Sequence, residues 1–371
     1  METSAWDGPA KPVPPILVRG HVHVSASSRQ HFAALDGLRG FAAVSVLLYH
    51  IGHWLNAPRL ASNAGLAVDF FFCLSGFVLA LAYNKRFRSG LGAATFMRVR
   101  LIRLMPLIVL ATIISALFVC VRATIFKSPV HSGELITATV LGLLNLPFIS
   151  ASSIIGGAQV FPLNGPQYSL FLEIVANLIW SWLRTTHPLR LSLTLSLACL
   201  ALLWLMAPVG GDEITTFWTG FPRVGASFFA GVAIFHIDRR GDASAVLRDA
   251  FWFLVAMMAI CFYYPERLPL SVELVWIAVL SPLVVYIGSK VRIEGRMKRL
   301  SLLGGELSYP IYALHYPIFC WVNGAYQSVV TCRELAVEGP LVFGCVVVGS
   351  YVALRMYDEP VRRWLDRRAS E

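Results

Sequence analysis

Residues 35–50 read "LDGLRGFAAVSVLLYH". The stretch opens a long apolar run, yet it holds Asp36 and Arg39 near its start and closes on His50. An ionised side chain at bilayer depth costs about 3 kcal/mol or more, so such residues mark functional sites by default. Arg39 and His50 lie eleven positions apart, about three whole helical turns and roughly 16 Å along the axis. The two therefore share one helix face, and Asp36, at i, i+3 from Arg39, shares it too. A cation at one end and an imidazole at the other make a polar stripe suited to a pathway through a helix bundle. A snorkelling arginine with a hydrogen-bonded structural histidine explains this stretch equally well.

The rest of the chain supplies the membrane. Its 371 residues are 57% hydrophobic and only 14% charged, with a mean hydropathy of +0.65; soluble domains run nearer about 25% charged. Apolar segments fall near 33–54, 65–83, 104–122, 135–151, 169–183, 190–207, 219–236, 251–264, 270–288, 303–325 and 339–356. Helical crossings need about 20 apolar residues each. The fold class expected is an all-α polytopic membrane protein. Residues 1–32 read as a flexible cytoplasmic tail without a cleavable signal, 33–358 as the transmembrane domain, and 359–371 as a basic cytoplasmic tail. The cysteines form no CxxC pair and all but Cys332 sit in apolar runs, which reads as small buried hydrophobes and predicts no metal site.

Basic residues decide which segments cross. They crowd the N-terminal tail, residues 85–103, Arg184 and Arg190, Arg239 to Arg248, residues 290–299 and the C-terminus. The other connections hold only Arg59, Arg122, Lys127, Arg267 and Arg333. All the basic loops share one side if ten segments cross and 135–151 does not. That segment precedes the uncharged "ASSIIGGAQVFPLNGPQY" (151–168) and reads as re-entrant or interfacial on the outer face. Both termini are then cytoplasmic. The net charge of +10 follows from this bias and implies no nucleic-acid partner.

Further ionisable groups punctuate the apolar runs. "RVRLIRLMP" sets Arg100 and Arg103 at i, i+3 just before the third long segment, a spacing that suits phosphate groups or a plain topogenic anchor. "PQYSLFLEI" sets Ser169 and Glu173 at i, i+4. "LSYPIYALHYPIF" places Tyr309, Tyr312, His315 and Tyr316 around Pro310 and Pro317, which predicts a helix broken at bilayer depth, as happens where a cavity is lined. Arg223, in "GFPRVGASFF", is one more buried charge.

These motifs together resemble the acyltransferase 3 family of integral-membrane acyltransferases. Arg39-x10-His50 is similar to the family's opening signature, and "VDFFFCLSGFVLALAY" to its second signature helix, with Asp69, Ser75 and Gly76. Arg100 and Arg103 form its RxxR element. "YSLFLEI" resembles its W-S-L-x-x-E helix, with Tyr168 in place of Trp and Ile174 where a second acid is usual. "LSYPIYALHYPIF" and "YDEPVRRW" are like its S-Y-x-x-Y-x-x-H and E-x-P-x-R segments.

The resemblance implies transfer of an acyl group, most often acetyl, from cytoplasmic acyl-CoA to a hydroxyl of a glycan, glycolipid or small molecule. It implies no permanently bound cofactor and places the chain in a bacterial inner membrane. CoA phosphates are then expected on Arg39, Arg100 and Arg103, and the thioester at His50, whose ordinary pKa lies near operating pH. Glu173 or Asp69 is expected to set the tautomer of His50, and Ser169, Arg223, Tyr309, Tyr312 and His315 to line the substrate site. A transporter of a small anionic or acylated molecule is the rival reading, weakened by the lack of matching broken helices in two halves. His31-x4-Asp36 mimics the HxxxxD of glycerolipid acyltransferases, but His31 lies at the membrane boundary, off the polar stripe.

Overall fold

The computed structural model describes residues 32–125, 130–151, 158–183, 187–237, 245–330 and 334–369. The expectations that fall on residues 1–31, including His31, on Lys127, on 152–157, on Arg184, Arg239, Arg240, Cys332 and Arg333, and on 370–371 lie outside the described residues. Among the described residues the chain is helical, with one isolated bridge between Gln159 and Glu213. The helices are α1 (Ala33–Trp54), α2 (Ala67–Arg88), α3 (Ala93–Ile125), α4 (Ser132–Leu143), α5 (Gln167–Trp182), α6 (Pro188–Met206) and α7 (Gly220–Ile237). They continue as α8 (Ala245–Tyr263), α9 (Leu270–Val275), α10 (Ser281–Gly288), α11 (Gly295–Val329), α12 (Leu335–Ala353) and α13 (Glu359–Arg368). Single π-turns at Trp276–Leu280 and Leu354–Asp358 join α9 to α10 and α12 to α13 into continuous rods.

Eight of these helical runs are long and apolar enough to cross a membrane. Two more belong to the bundle. α5 has 16 residues, about 24 Å, and α11 has 35 residues, about 52 Å. Ten runs result among the described residues, as the basic-loop pattern requires. α4 has only 12 residues, about 18 Å against a core of about 30 Å, so it does not cross. It docks instead against α3 and α5. Gln167 Nε2 donates to the Gly142 carbonyl at 2.8 Å and to Asn145 Oδ1 at 3.1 Å, and Thr112 Oγ1 donates to Gln167 Oε1 at 3.5 Å.

Two expectations are corrected. Arg100 and Arg103 do not precede the third helix but lie inside α3, which begins at Ala93. Hydropathy registers only the bilayer-matched part of a helix, whereas backbone hydrogen bonding carries α3 further toward the basic end. The helix through Pro310 and Pro317 is not broken: α11 runs unbroken from Gly295 to Val329. Pro317 lacks an N–H and frees the carbonyl four residues earlier. That carbonyl, on Ala313, accepts from Asn164 Nδ2 at 3.2 Å, so the helix continues past the proline. The rod Leu335–Arg368 continues through residue 358, where the π-turn gives way to α13.

Small residues set the closest helix approaches, as they do where lipid supplies no hydrophobic drive. A Cβ on Gly76 of α2 would meet the Phe228 carbonyl oxygen of α7 at 2.0 Å, and one on Gly231 would meet that of Cys73 at 1.9 Å. α1 and α11 run parallel and touch the same way. A Cβ on Gly40 would lie 2.7 Å from the Gly304 Cα. Ten residues beyond Gly40 is His50, and eleven beyond Gly304 is His315. The close contact thus carries two histidines to one level, three turns along.

Candidate active site

His50 and His315 face each other at the end of the bundle opposite the basic loops. Their ring centroids lie 4.8 Å apart. His50 Nδ1 donates to the Val46 carbonyl at 2.9 Å. His315 Nδ1 donates to the carbonyls of Tyr312 at 2.8 Å and Ile311 at 3.1 Å. A carbonyl only accepts, so Nδ1 of each ring carries the hydrogen and Nε2 keeps its lone pair. The expectation that Glu173 or Asp69 sets the His50 tautomer is corrected here: the Val46 carbonyl, one turn back on the same helix, makes that bond. His50 is half-buried, whereas His315 is 0% exposed and its Nε2 has no hydrogen-bond partner among the described residues. Of the two free nitrogens, that of His50 lies on the ring a substrate can reach. Trp54, missed by the sequence reading, packs beside both imidazoles, 5.2 Å from His50 and 6.0 Å from His315, and stacks on Phe319 at 3.9 Å.

Toward the basic end lies an arginine cluster threaded by acids. Arg100 Nη2 meets Glu173 Oε1 at 2.6 Å, and Ser75 Oγ donates to the same oxygen at 2.7 Å. One carboxylate thereby ties α2, α3 and α5 together. Arg100 is buried and its Nε has no partner among the described residues. Arg39 pairs with Asp36 at 3.5 Å and lies in electrostatic reach of Glu173 and Arg100. Arg103 is exposed, and its charged neighbours are Arg100, Arg39, Arg362 and Glu173. Arg362 of α13 was read as part of a basic tail; it pairs at i, i+4 along the same rod with the buried Asp358 at 2.5 Å and lies in electrostatic reach of Arg103. Four guanidiniums from three helices thus gather with three carboxylates, Asp36, Glu173 and Asp358, leaving an excess of one positive charge that suits an anion.

Asp69 and Arg223 stand apart from both groups. Arg223 Nε and Nη2 donate to the two Asp69 oxygens, each at 2.8 Å. Nη2 also donates to the Gly65 carbonyl at 3.0 Å. Nη1 donates to the Gly210 carbonyl at 3.2 Å and to the Tyr168 hydroxyl at 3.4 Å. A guanidinium has five N–H donors, and five bonds are made. All five donors of Arg223 are thus engaged within the protein, and Asp69 is 0% exposed. The pair forms a clamp between α2, α7 and the loops above.

The remaining residues hold the histidines in place. Ser169 Oγ and the Tyr312 hydroxyl lie 2.7 Å apart, joining α5 to α11 beside His315. Tyr312 thus anchors α11 through its hydroxyl while its carbonyl holds the imidazole. Tyr309 donates to the Leu104 carbonyl at 2.5 Å, joining α11 to α3. Neither tyrosine hydroxyl is free, so both position rather than present a group.

Residues 32–355 match the family model described as an acyltransferase domain, the acyltransferase 3 family. A curated protein from Rhizobium radiobacter, described as protein 2 in picA locus, is 36% identical over 167 residues, covering 43% of this chain and 85% of that protein. No solved structure matches the chain significantly. With a model matching well over half its length and the membrane bundle in place, this chain belongs to the acyltransferase 3 family.

Proposed function

We propose that this membrane acyltransferase moves an acyl group, acetyl in the simplest case, from cytoplasmic acyl-CoA to a hydroxyl of a glycan, glycolipid or related small acceptor. The observation that carries the reading is the separation of two unlike chemistries along one bundle. Guanidiniums gather at the basic end, and a half-buried imidazole with a free Nε2 lies at the other. On this reading the basic end is cytoplasmic, the positive-inside rule sets both termini there, and the membrane is a bacterial inner membrane.

Arg103, Arg39 and Arg362 suit the donor's phosphates, and the buried Arg100 offers an unspent Nε–H beside them. The pantetheine arm then follows the face of α1 from Arg39 toward His50. His50 Nε2 takes the proton from the acceptor hydroxyl, and the oxygen attacks the thioester carbonyl. The tetrahedral intermediate collapses, the C–S bond breaks, and the proton passes from His50 to the departing sulfur. The Nδ1–H bond to Val46 supports this cycle, since it keeps Nε2 as the basic nitrogen.

The test uses inverted membrane vesicles carrying the protein, supplied outside with acyl-labelled CoA. The expected result is label in a hydrolysable ester within the glycan or glycolipid fraction, dependent on the protein. Label that stays in CoA with every envelope fraction tried would remove this donor-to-acceptor assignment.

A further inference from the structure

A cavity opens at the basic end, away from the histidines. Its volume is about 170 Å³, and the last turns of α2, α5 and α7 and the first turn of α6 enclose it. Phe87, Trp180, Phe229 and Val232 form its apolar walls, and Arg88 and His236 lie among its lining residues. None of the lining residues belongs to α1, α3 or α11, the helices that bear Arg39, His50, Arg100, Arg103 and His315. The cavity is therefore distinct from the proposed reaction path.

Its chemistry is that of an amphiphile's receptor. Phe229 and Val232 are buried at its floor, whereas Arg88 is exposed and His236 half-buried at its rim. Arg88 and His236 line the same cavity and interact electrostatically, which gives it a fixed cation and an imidazole N–H. No Asp or Glu is among the lining residues. Lys85 and Arg86, in the same last turn of α2 as Arg88, add positive charge around the mouth. The bounding helix α6 lies at the periphery, with only 11% of its apolar window buried, so the cavity borders on the bilayer. An apolar floor, a cationic rim and access from lipid select a ligand with an acyl chain and a negatively charged head.

We propose that this cavity binds an anionic phospholipid of the leaflet at the basic end, its phosphate between Arg88 and His236 and a chain segment against Phe87, Trp180 and Phe229. Cations at helix C-termini are also favoured by the helix dipole alone, and the experiment separates the two explanations.

Purified, delipidated protein is titrated with phosphatidylglycerol or phosphatidylcholine in mixed micelles and bound lipid is counted by native mass spectrometry. One phosphatidylglycerol is expected to bind at least ~10-fold tighter than phosphatidylcholine, since tenfold is the discrimination that a single charged contact of about 1.4 kcal/mol provides. Arg88→Gln with His236→Gln should abolish that preference at an unchanged melting temperature. Leu191→Trp, which fills the cavity from the lipid-facing α6 and leaves the charges intact, should lower binding of both lipids. Equal binding of the two lipids, or undiminished phosphatidylglycerol in both variants, would overturn the assignment. Displacement of the lipid by inorganic phosphate would transfer the site to a soluble anion, and displacement by acyl-CoA would transfer it to the donor; either result refutes the proposal.

Discussion

Replacing Arg223 with Leu should unfold this protein sooner without touching its chemistry. The substitution removes five hydrogen bonds and leaves Asp69, fully buried, without its counter-ion. Breaking a buried pair from one side costs about 3–5 kcal/mol, because the surviving charge is left uncompensated. The Asp69–Arg223 pair bridges α2 and α7, the helices that Gly76 and Gly231 bring into backbone contact, so the loss falls where packing has no slack. Replacing both partners, Asp69→Leu with Arg223→Leu, removes the stranded charge and should restore much of the loss. Apparent melting temperatures of the wild type, both single variants and the double variant, read at one scan rate in detergent, form the cycle. A favourable coupling above about 1 kcal/mol is expected for groups in direct contact. Acyl transfer per folded molecule should fall less than tenfold in the double variant. A stable Arg223→Leu protein that has lost transfer would refute the clamp and return Arg223 to the substrate site.

Other substitutions probe the remaining parts of the account. Gly231→Ala would drive a methyl to 1.9 Å from the Cys73 oxygen; overpacking of this kind costs about 1–3 kcal/mol, read as a lowered melting temperature, and Gly344→Ala, which meets nothing within 4 Å, should leave it unchanged. Arg103→Ala, at an exposed position, should weaken acyl-CoA binding in a calorimetric titration with stability intact, whereas Arg100→Ala, which unpairs Glu173, should lose both. Unaltered acyl-CoA affinity in Arg103→Ala would make that residue a topogenic anchor. Cysteine labelling from outside intact cells should reach positions 158–159 and 265–267 but not 86–90 or 290–296; external labelling of 290–296 would overturn the ten-crossing arrangement.

Much of the architecture was legible because the bilayer restricts the chain to helices and the basic loops count them. The stripe from Asp36 through Arg39 to His50 was legible because all three lie on one helix, where spacing alone sets the face. Pairings between helices were not. Arg100 finds Glu173 at 73 positions' separation and Arg223 finds Asp69 at 154, and no local period encodes such distances. The ionisable residues were all visible, but their partners decide their roles: Glu173 and Asp69 look alike in sequence, yet one joins the arginine cluster and the other is sealed in a clamp. The break expected at Pro317 failed for the same reason, since the Asn164 amide that rescues the Ala313 carbonyl comes from 149 positions away. The pair of Arg362 with Asp358 is local, at i, i+4 on one rod, and spacing alone could have found it; what no local pattern encodes is the packing that brings that arginine into reach of Arg103 on α3.

The central claim is that His50 supplies the base, and His50→Ala tests it most directly. The variant is compared with His315→Ala and the wild type at matched membrane expression, with acyl-CoA binding and acyl transfer measured on the same preparations. His50→Ala should bind acyl-CoA normally and lose about 10²–10⁴-fold in transfer rate, the usual contribution of a general base. His315→Ala should be damaged less completely, because its buried ring supports the pair without meeting the acceptor. Transfer by His50→Ala at near wild-type rate, with acyl-CoA still bound, would contradict the account and assign the proton to another group.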